Sequence, residues 1–385
     1  MKVLSDEVMR KLSTPYGDAP AERDHGFDRA LGIFVPAVNA LVAAIDSDMD
    51  VTVHGVRWWV GHPIGDKRRI LISDHLIESV RSIEKNLVDA KLHELSLAHF
   101  DAREAHQMRH LVTVQRGQIK MEFPKRETPI DDLSRTMGDL HRVGFFRAVG
   151  SALDCLGAAC VGVLGVPIDL LKSDLGGLRA WLKKQQQNPS PSVDGPFFRG
   201  FAANLEATIS AAGPPDWLDW TLDMRNMQVH RARRFQLATV HPRPTGAATA
   251  SGDPEVISDV ALHLPKSPAH SDIEVMVATT YQPLLSEDSA ATISGVLRST
   301  VEVLATTCTA LTRAWEFRRT APNLVMQPLK QWANTPAKPV SQFPGYAPGT
   351  RSVAHDQLLG NPRIIRRMQV AALSDADHEK WNTFS

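Results

Sequence analysis

The sequence predicts a mainly α-helical fold with a small β-containing insertion and irregular terminal segments. Three observations predict it. Long stretches space their apolar residues three or four apart, the period of a helix with one buried side. The alternating, β-branched stretches are few and short. Tracts rich in Pro, Gly and Ser separate these segments, and the tail from Pro336 is rich in Pro and Gly.

Composition agrees. The chain has 385 residues, 43% hydrophobic and 22% charged, the balance of a soluble globular protein. Lys+Arg and Asp+Glu are both 43, so no global field draws the protein to nucleic acid or an anionic membrane. Such attraction needs a local patch. Cys155, Cys160 and Cys308 are an odd, sparse set, which argues against a disulfide framework and fits a cytoplasmic location. No metal spacing accompanies them. The N-terminal stretch lacks the apolar core of a secretory leader. The longest apolar run, Cys155 to Ile168, is shorter than the ~20 residues a bilayer requires. It reads as a core helix ending near Pro167, and no membrane partner is expected. Its small residues, Gly157, Ala158, Ala159 and Gly162, allow neighbouring backbones to approach closely.

In chain order, 24–46 reads as a helix with Phe34, Val38, Leu41 and Val42 on one side. Val51 to Val60 alternates as a strand. Ser73 and Asp74 offer an N-cap to a long helix from about His75 to His110. Leu76, Val80, Ile83, Leu87, Leu92, Leu95 and Phe100 supply its buried side. "VTVQRGQIKMEF" predicts a hairpin around Gly117. Helices follow from Ile130 to Val163, over Leu178 to Gln186, and in "FFRGFAANLEATISAA".

After Gly213-Pro214-Pro215 another helix starts, with Pro215 in its first turn and Asp216 at its N-terminus. It runs to about Arg234. Short alternating segments come next: "RRFQLATVHPRP", "DVALHLP" and "DIEVMVATTY". Ser286 then caps a helix from Ala290 to about Arg318, with Ile293, Val296, Leu297, Val301, Leu304, Leu311 and Trp315 at core spacing. "RIIRRMQVAAL" in the tail predicts a final strand or helix. The expected organisation is an N-terminal segment over 1–65 and a helical core over 66–235 and 286–320. A β-rich insertion over 236–285 and a Pro/Gly-rich extension over 321–385 complete it.

One stretch carries candidate chemistry, "TLDMRNMQVHRARR", Thr221 to Arg234. At about 100° per residue, Trp217, Trp220, Met224 and Met227 form one apolar stripe, and Leu218, Leu222 and Val229 a second. Asp223, Asn226 and His230 lie between them. Arg225 and His230 are about 140° apart on the helix, so one helix does not bring them together. A second copy facing the first, in a homodimer, would. An imidazole with a pKa near about 6.5 moves protons at neutral pH, and a guanidinium holds phosphate and stabilises charge. Those parts suffice for metal-independent RNA cleavage by attack of the ribose 2′-OH on the adjacent phosphate. Arg231, Arg233 and Arg234 form a local RNA-binding patch.

"RNMQVH" resembles the R-x4-6-H signature of the HEPN superfamily, in the form with a polar residue directly after the arginine. The resemblance covers roughly His75 to Arg318. It implies a HEPN-like helical bundle. It also implies an endoribonuclease without cofactors, of the toxin–antitoxin or antiphage abortive-infection type, with an antitoxin or another defence protein as partner. By the resemblance, Arg225 and His230 are the catalytic pair, drawn from two protomers of a dimer, and Asn226 supports them. The alternative within the family is a non-catalytic module binding nucleic acid, nucleotide or a partner protein. The plainer reading of these arginines is that they complement a helix C-terminus.

A competing constellation is "HFDAREAHQMRH". His106 and His110 have the i, i+4 spacing that shares a metal, whereas His99 is about 16 Å from His110 along the axis. A solvated charged face is the favoured reading of that stretch.

Overall fold

A computed structural model of the protein describes residues 25–48, 66–115, 118–121, 129–187, 195–230, 237–250, 252–266, 285–320, 343 and 345–346. The helices among them are α1 (His25–Ser47), α2 (Asp66–Gln107), α3 (Pro129–Leu164), α4 (Leu175–Gln187), α5 (Gly195–Ala212), α6 (Trp217–His230) and α7 (Ser289–Thr320). Two antiparallel hairpins accompany them: β1 (Val112–Gln115) with β2 (Gln118–Met121), and β3 (Leu237–Ala248) with β4 (Pro254–His263). The fold is mainly α with minor β-structure. The strand expected over Val51–Val60, the segment Asp272–Tyr281 and the tail stretch Arg363–Leu373 lie outside the described residues.

Internal packing divides the chain into two compact units. One comprises 1–33, 85–152 and 207–303, and the other 34–84, 153–206 and 304–385.

In the second unit, Phe34, Val38, Leu41 and Val42 of α1 are buried as their spacing predicts. So are Leu76, Val80 and Ile83 of α2, and Leu304, Leu311 and Trp315 of α7. Ser73 and Asp74 do not cap α2. The helix begins at Asp66, and both residues are buried inside it. A cap was expected because serine and aspartate favour helix starts, but tertiary packing overrides that local preference. Trp315 Nε1 donates to the Asp48 carboxylate at 2.5 Å, joining the two helices' buried polar groups.

The small-residue run of α3 does permit close approach. A Cβ on Gly157 would lie 2.4 Å from the backbone of Asp174 and Leu175. Asp174 is the N-cap of α4, its Oδ1 accepting the Gly177 N–H at 2.6 Å. Helix α3 ends at Leu164, three residues before Pro167. Gly165 has φ 67, the Val166 N–H reaches Val161 O and the Gly165 N–H reaches Gly162 O, a Schellman ending. The helix segment Thr136–Leu164 is long and apolar enough to cross a membrane, yet 78% of its apolar 18-residue window (mean hydropathy 1.5) is buried inside the protein, as in a core helix. Cys160 and Cys308 are buried free thiols. Burial pushes the Cys308 thiol up to about 12 and raises Cys160 well above the usual range, so both stay protonated and serve as small apolar groups.

In the first unit, α5 ends against α6 and α7. Trp217 Nε1 donates to Ile209 O at 2.9 Å, and the Ser299 hydroxyl donates to Ala212 O at 2.7 Å. Neither Pro215 nor Asp216 lies within α6. Asp216 adopts φ 63, a left-handed conformation, and its carbonyl accepts the Trp220 N–H at 2.9 Å. The chain thus reverses sharply at Asp216 and the first helical residue is Trp217.

The cap of α7 also differs from the expectation. It is Asp288, whose Oδ1 accepts the Ala291 N–H at 2.7 Å, not Ser286. An N-cap must stand immediately before the first helical residue, here Ser289. The long hairpin pairs Leu237 with His263 and shifts register between Pro244 and Ala248. His263 ties its base to the start of α7. Its Nε2 accepts the Thr239 hydroxyl at 2.8 Å. Its Nδ1 is 3.1 Å from Leu285 O and 2.9 Å from Glu287 O. Carbonyls only accept, so Nδ1 carries the proton.

Candidate functional site

Helix α6 buries two sides, as its two apolar stripes predict. Trp217, Leu218, Thr221, Met224 and Met227 are buried, and Trp220 and Leu222 are half-buried. Trp220 meets Phe146 of α3 edge-on, with ring centroids 5.9 Å apart. Its Nε1 donates to Pro265 O at 3.0 Å, anchoring α6 to the end of the long hairpin. Thr221 donates its hydroxyl to Trp217 O at 2.7 Å, so a buried polar group is satisfied inside the helix.

Arg225 is half-buried and lies across Gly150 of α3. A Cβ at Gly150 would meet Arg225 Cδ at 2.6 Å, Nε at 2.8 Å and Cγ at 3.1 Å. The aliphatic stem therefore occupies the space that any other residue at 150 would fill with a side chain. From Trp220 on Phe146 to Arg225 on Gly150, contacts advance in the same direction along both helices. The two helices run parallel over this stretch. The arginine is laid along a neighbour instead of extending freely from the helix.

Asn226, the next residue, is exposed. His230 is the last residue of α6, with its side chain outside the described part, and Arg231, Arg233 and Arg234 also lie outside it. The structure thus places Arg225 and Asn226 side by side at the solvent boundary, one turn or so before the helix end. His106 is exposed in the last turn of α2, and His110 is exposed in the 3-10 turn Met108–His110. The change of helix type removes the one-above-the-other alignment that i, i+4 spacing has in a continuous α-helix. Among the described residues no group of three or more His, Cys, Asp or Glu side chains could hold a metal ion.

A polar cluster between α2 and α3 escaped the sequence reading. His93 and His141 meet Nδ1 to Nδ1 at 3.0 Å. The His93 ring rests on Gly144, where a Cβ would stand 2.4 Å from it. The His141 ring stacks on Phe100, with centroids 5.5 Å apart at 21°. Burial lowers both imidazole pKa values. Asp89 works against burial at His93, whereas His93 adds to it at His141. Nearby, buried Arg142 binds Asp139 through Nη1 at 2.9 Å and Asp101 through Nη2 at 3.3 Å. Burial pushes the Asp101 carboxyl up to about 6 against the pull of Arg142, and Glu104 and Asp288 push it the same way as burial. The cluster holds neutral imidazoles and a carboxyl that titrates near neutrality, groups able to exchange protons at ordinary pH. Residues 93 and 141 are too far apart in sequence for spacing to link them. Only the glycine three residues after His141 hinted at a close neighbour.

Comparison with protein-family models, with curated proteins and with solved structures finds no match to this chain.

Proposed function

We propose that the chain is a metal-independent endoribonuclease of HEPN type, an effector of a toxin–antitoxin or antiphage abortive-infection system. The observation that supports this reading most is the setting of Arg225. Its stem is confined along Gly150 while Asn226 beside it is exposed, and His230 ends the same helix. A confined arginine at a solvent boundary is preorganised to meet a phosphate, because little side-chain freedom is left to lose.

In the proposed reaction the 2′-oxygen of a ribose bonds to the adjacent phosphorus as its proton departs. The bond from phosphorus to the 5′-oxygen breaks, and that oxygen takes up a proton. The products are a 2′,3′-cyclic phosphate and a 5′-hydroxyl. His230 handles the proton, since its ordinary pKa lies near neutrality. Arg225 stabilises the negative charge that grows on the phosphoryl oxygens. Asn226 supports the pair, and Arg231, Arg233 and Arg234 bind the flanking phosphates.

The test is cleavage of a labelled RNA in EDTA. Wild-type protein is expected to cleave, leaving cyclic-phosphate ends. Arg225→Ala and His230→Ala are each expected to lose activity while keeping the circular-dichroism spectrum of the wild type. RNA bound but left intact by all three proteins would replace this reading with that of a non-catalytic binding module. Activity lost in chelator and restored by zinc or manganese would turn attention to His106 and His110.

A further inference from the structure

We infer that Gly150 is a positioning residue for Arg225, and that the absence of a side chain at 150 sets where the guanidinium sits. The contacts a Cβ would make fall on Cγ, Cδ and Nε of Arg225, at 3.1, 2.6 and 2.8 Å. These atoms are the middle of the side chain, not its free end. A methyl group there cannot be avoided by a small swing of the tip. The whole stem must leave α3, and the guanidinium must move with it.

The surroundings allow little else to give. Gly150 is buried, flanked on α3 by Val149 at 0% exposure and Ala152 at 0%. On α6, Met224 and Met227 beside Arg225 are 0% and 2% exposed. The Trp220–Phe146 contact and the Trp220 hydrogen bond to Pro265 hold α6 in register one turn earlier. With both backbones fixed, a methyl at 150 is accommodated at the expense of the Arg225 rotamer.

Glycine inside a helix is otherwise a poor choice, because alanine has the better helix propensity. Replacing Gly150 by Ala would therefore stabilise α3 if nothing occupied the space. That reasoning gives the coupling a sign. Gly150→Ala is expected to lower Tm in the protein that carries Arg225. In the Arg225→Ala background the same substitution is expected to raise Tm, since the notch is empty and propensity alone acts. The consequence for RNA cleavage rests on the proposed role of Arg225, and the packing consequence does not.

The experiment is a double-mutant cycle on residues 150 and 225, read by thermal unfolding and by RNA cleavage. The expected result is a reversal in the sign of the Tm change between backgrounds. Cleavage by Gly150→Ala should fall about a hundredfold in kcat with KM near that of the wild type, as displacement of a charge-stabilising group demands. Gly150→Ala adding nothing further to the loss in Arg225→Ala completes the pattern. If Gly150→Ala does not fold, recovery of folded protein in the Gly150→Ala/Arg225→Ala double variant supports the inference. Equal Tm changes in both backgrounds would overturn it, as would a double variant that stays unfolded while Arg225→Ala folds. A Tm reversal in a protein that cleaves no RNA would uphold the positioning of Arg225 and sink only the ribonuclease reading. A Tm reversal with unchanged cleavage in an active enzyme would show that the guanidinium's place does not depend on Gly150.

Discussion

His93 and His141 share one hydrogen bond, Nδ1 to Nδ1 at 3.0 Å, across helices α2 and α3. In such a pair one ring donates and the other must accept, so only the state with a bare Nδ1 keeps the bond. Protonating both rings sets two donors and two positive charges against each other.

Burial lowers both folded pKa values below the ordinary 6.5. As pH falls below that value, the unfolded chain takes up protons first, and the folded state loses stability. The pair is therefore favourable above about pH 6.5 and is lost on acidification. A His93→Asn/His141→Asn variant retains a donor and an acceptor near the two Nδ1 positions. Its Tm is expected to fall less than the wild type's between pH 7 and pH 5. Parallel curves for the two proteins would show that the pair does not govern the acid limb.

Asp101 works in the opposite direction. Its folded pKa is raised from 3.8 to about 6, so between these values the folded state holds a proton more tightly than the unfolded chain. The contribution is fully present below about pH 4 and is lost as pH rises through about 6. The loss is roughly 2–3 kcal/mol. Asp101→Asn removes the titration while leaving an oxygen for Arg142. Denaturant midpoints of this variant, measured from pH 4 to pH 8, are expected to decline less than those of the wild type. An identical decline would exclude Asp101 as the source.

Trp315 Nε1 and the Asp48 carboxylate are 2.5 Å apart, and both residues are buried, at 0% and 2% exposure. Trp315→Phe keeps an aromatic ring but takes away the indole donor. Loss of a hydrogen bond to a buried acid costs about 2–3 kcal/mol. Chemical denaturation is expected to show that loss, with Asp48→Asn costing less because it still accepts. Comparable effects from both substitutions would point to packing and not to the hydrogen bond.

The RNA-binding role proposed for the three arginines that follow His230 is tested by salt dependence. Replacing Arg231, Arg233 and Arg234 by Gln is expected to weaken RNA binding and to reduce the slope of log K against log salt by about 2, at roughly 0.7 per phosphate for single strands. An unchanged slope in the triple variant would reduce them to helix-terminal charges.

The proposed dimer is motivated by ideal helix geometry, which sets positions 225 and 230 about 140° apart. Two facing copies of α6 would supply both groups to one cleft. Arg225→Ala and His230→Ala proteins, each inactive alone, are expected to recover partial activity on mixing, because a heterodimer retains one arginine and one histidine. A monomer that cleaves RNA in solution would remove the composite site.

Local periodicity was enough to locate all seven described helices and the hairpin around Gly117, whereas the long hairpin was legible only as short alternating segments. Side-chain spacing along one helix decides which face is apolar, whatever the partner. In α7, Ile293, Val296, Leu297, Val301, Leu304, Leu311 and Trp315 are all buried as their spacing predicts. In α6 the stripe residues Trp217, Leu218, Met224 and Met227 are buried and Trp220 and Leu222 half-buried. The candidate site was legible to the extent that a short motif lies on one helix.

What only the tertiary structure decided is which residues the neighbours accept. On α2 the buried residues after Ser73 and Asp74 are Leu76, Ile77, Val80, Ile83, Leu87, Ala90, Glu94 and Leu97, while Leu92, Leu95 and Phe100 are half-buried. Spacing singles out neither Ile77 and Leu97 nor the small Ala90 and the charged Glu94. Glu94 is tolerated there because it pairs with Lys91. Gly150 and Gly144 mark a place for close approach without naming its occupant, since what a missing Cβ admits depends on a side chain distant along the chain. Arg225 and His93 occupy those spaces, and the His93–His141 pair, 48 residues apart, exists only because α2 and α3 bring the two rings together. Periodicity is a property of one segment, whereas a notch and its occupant are a property of two.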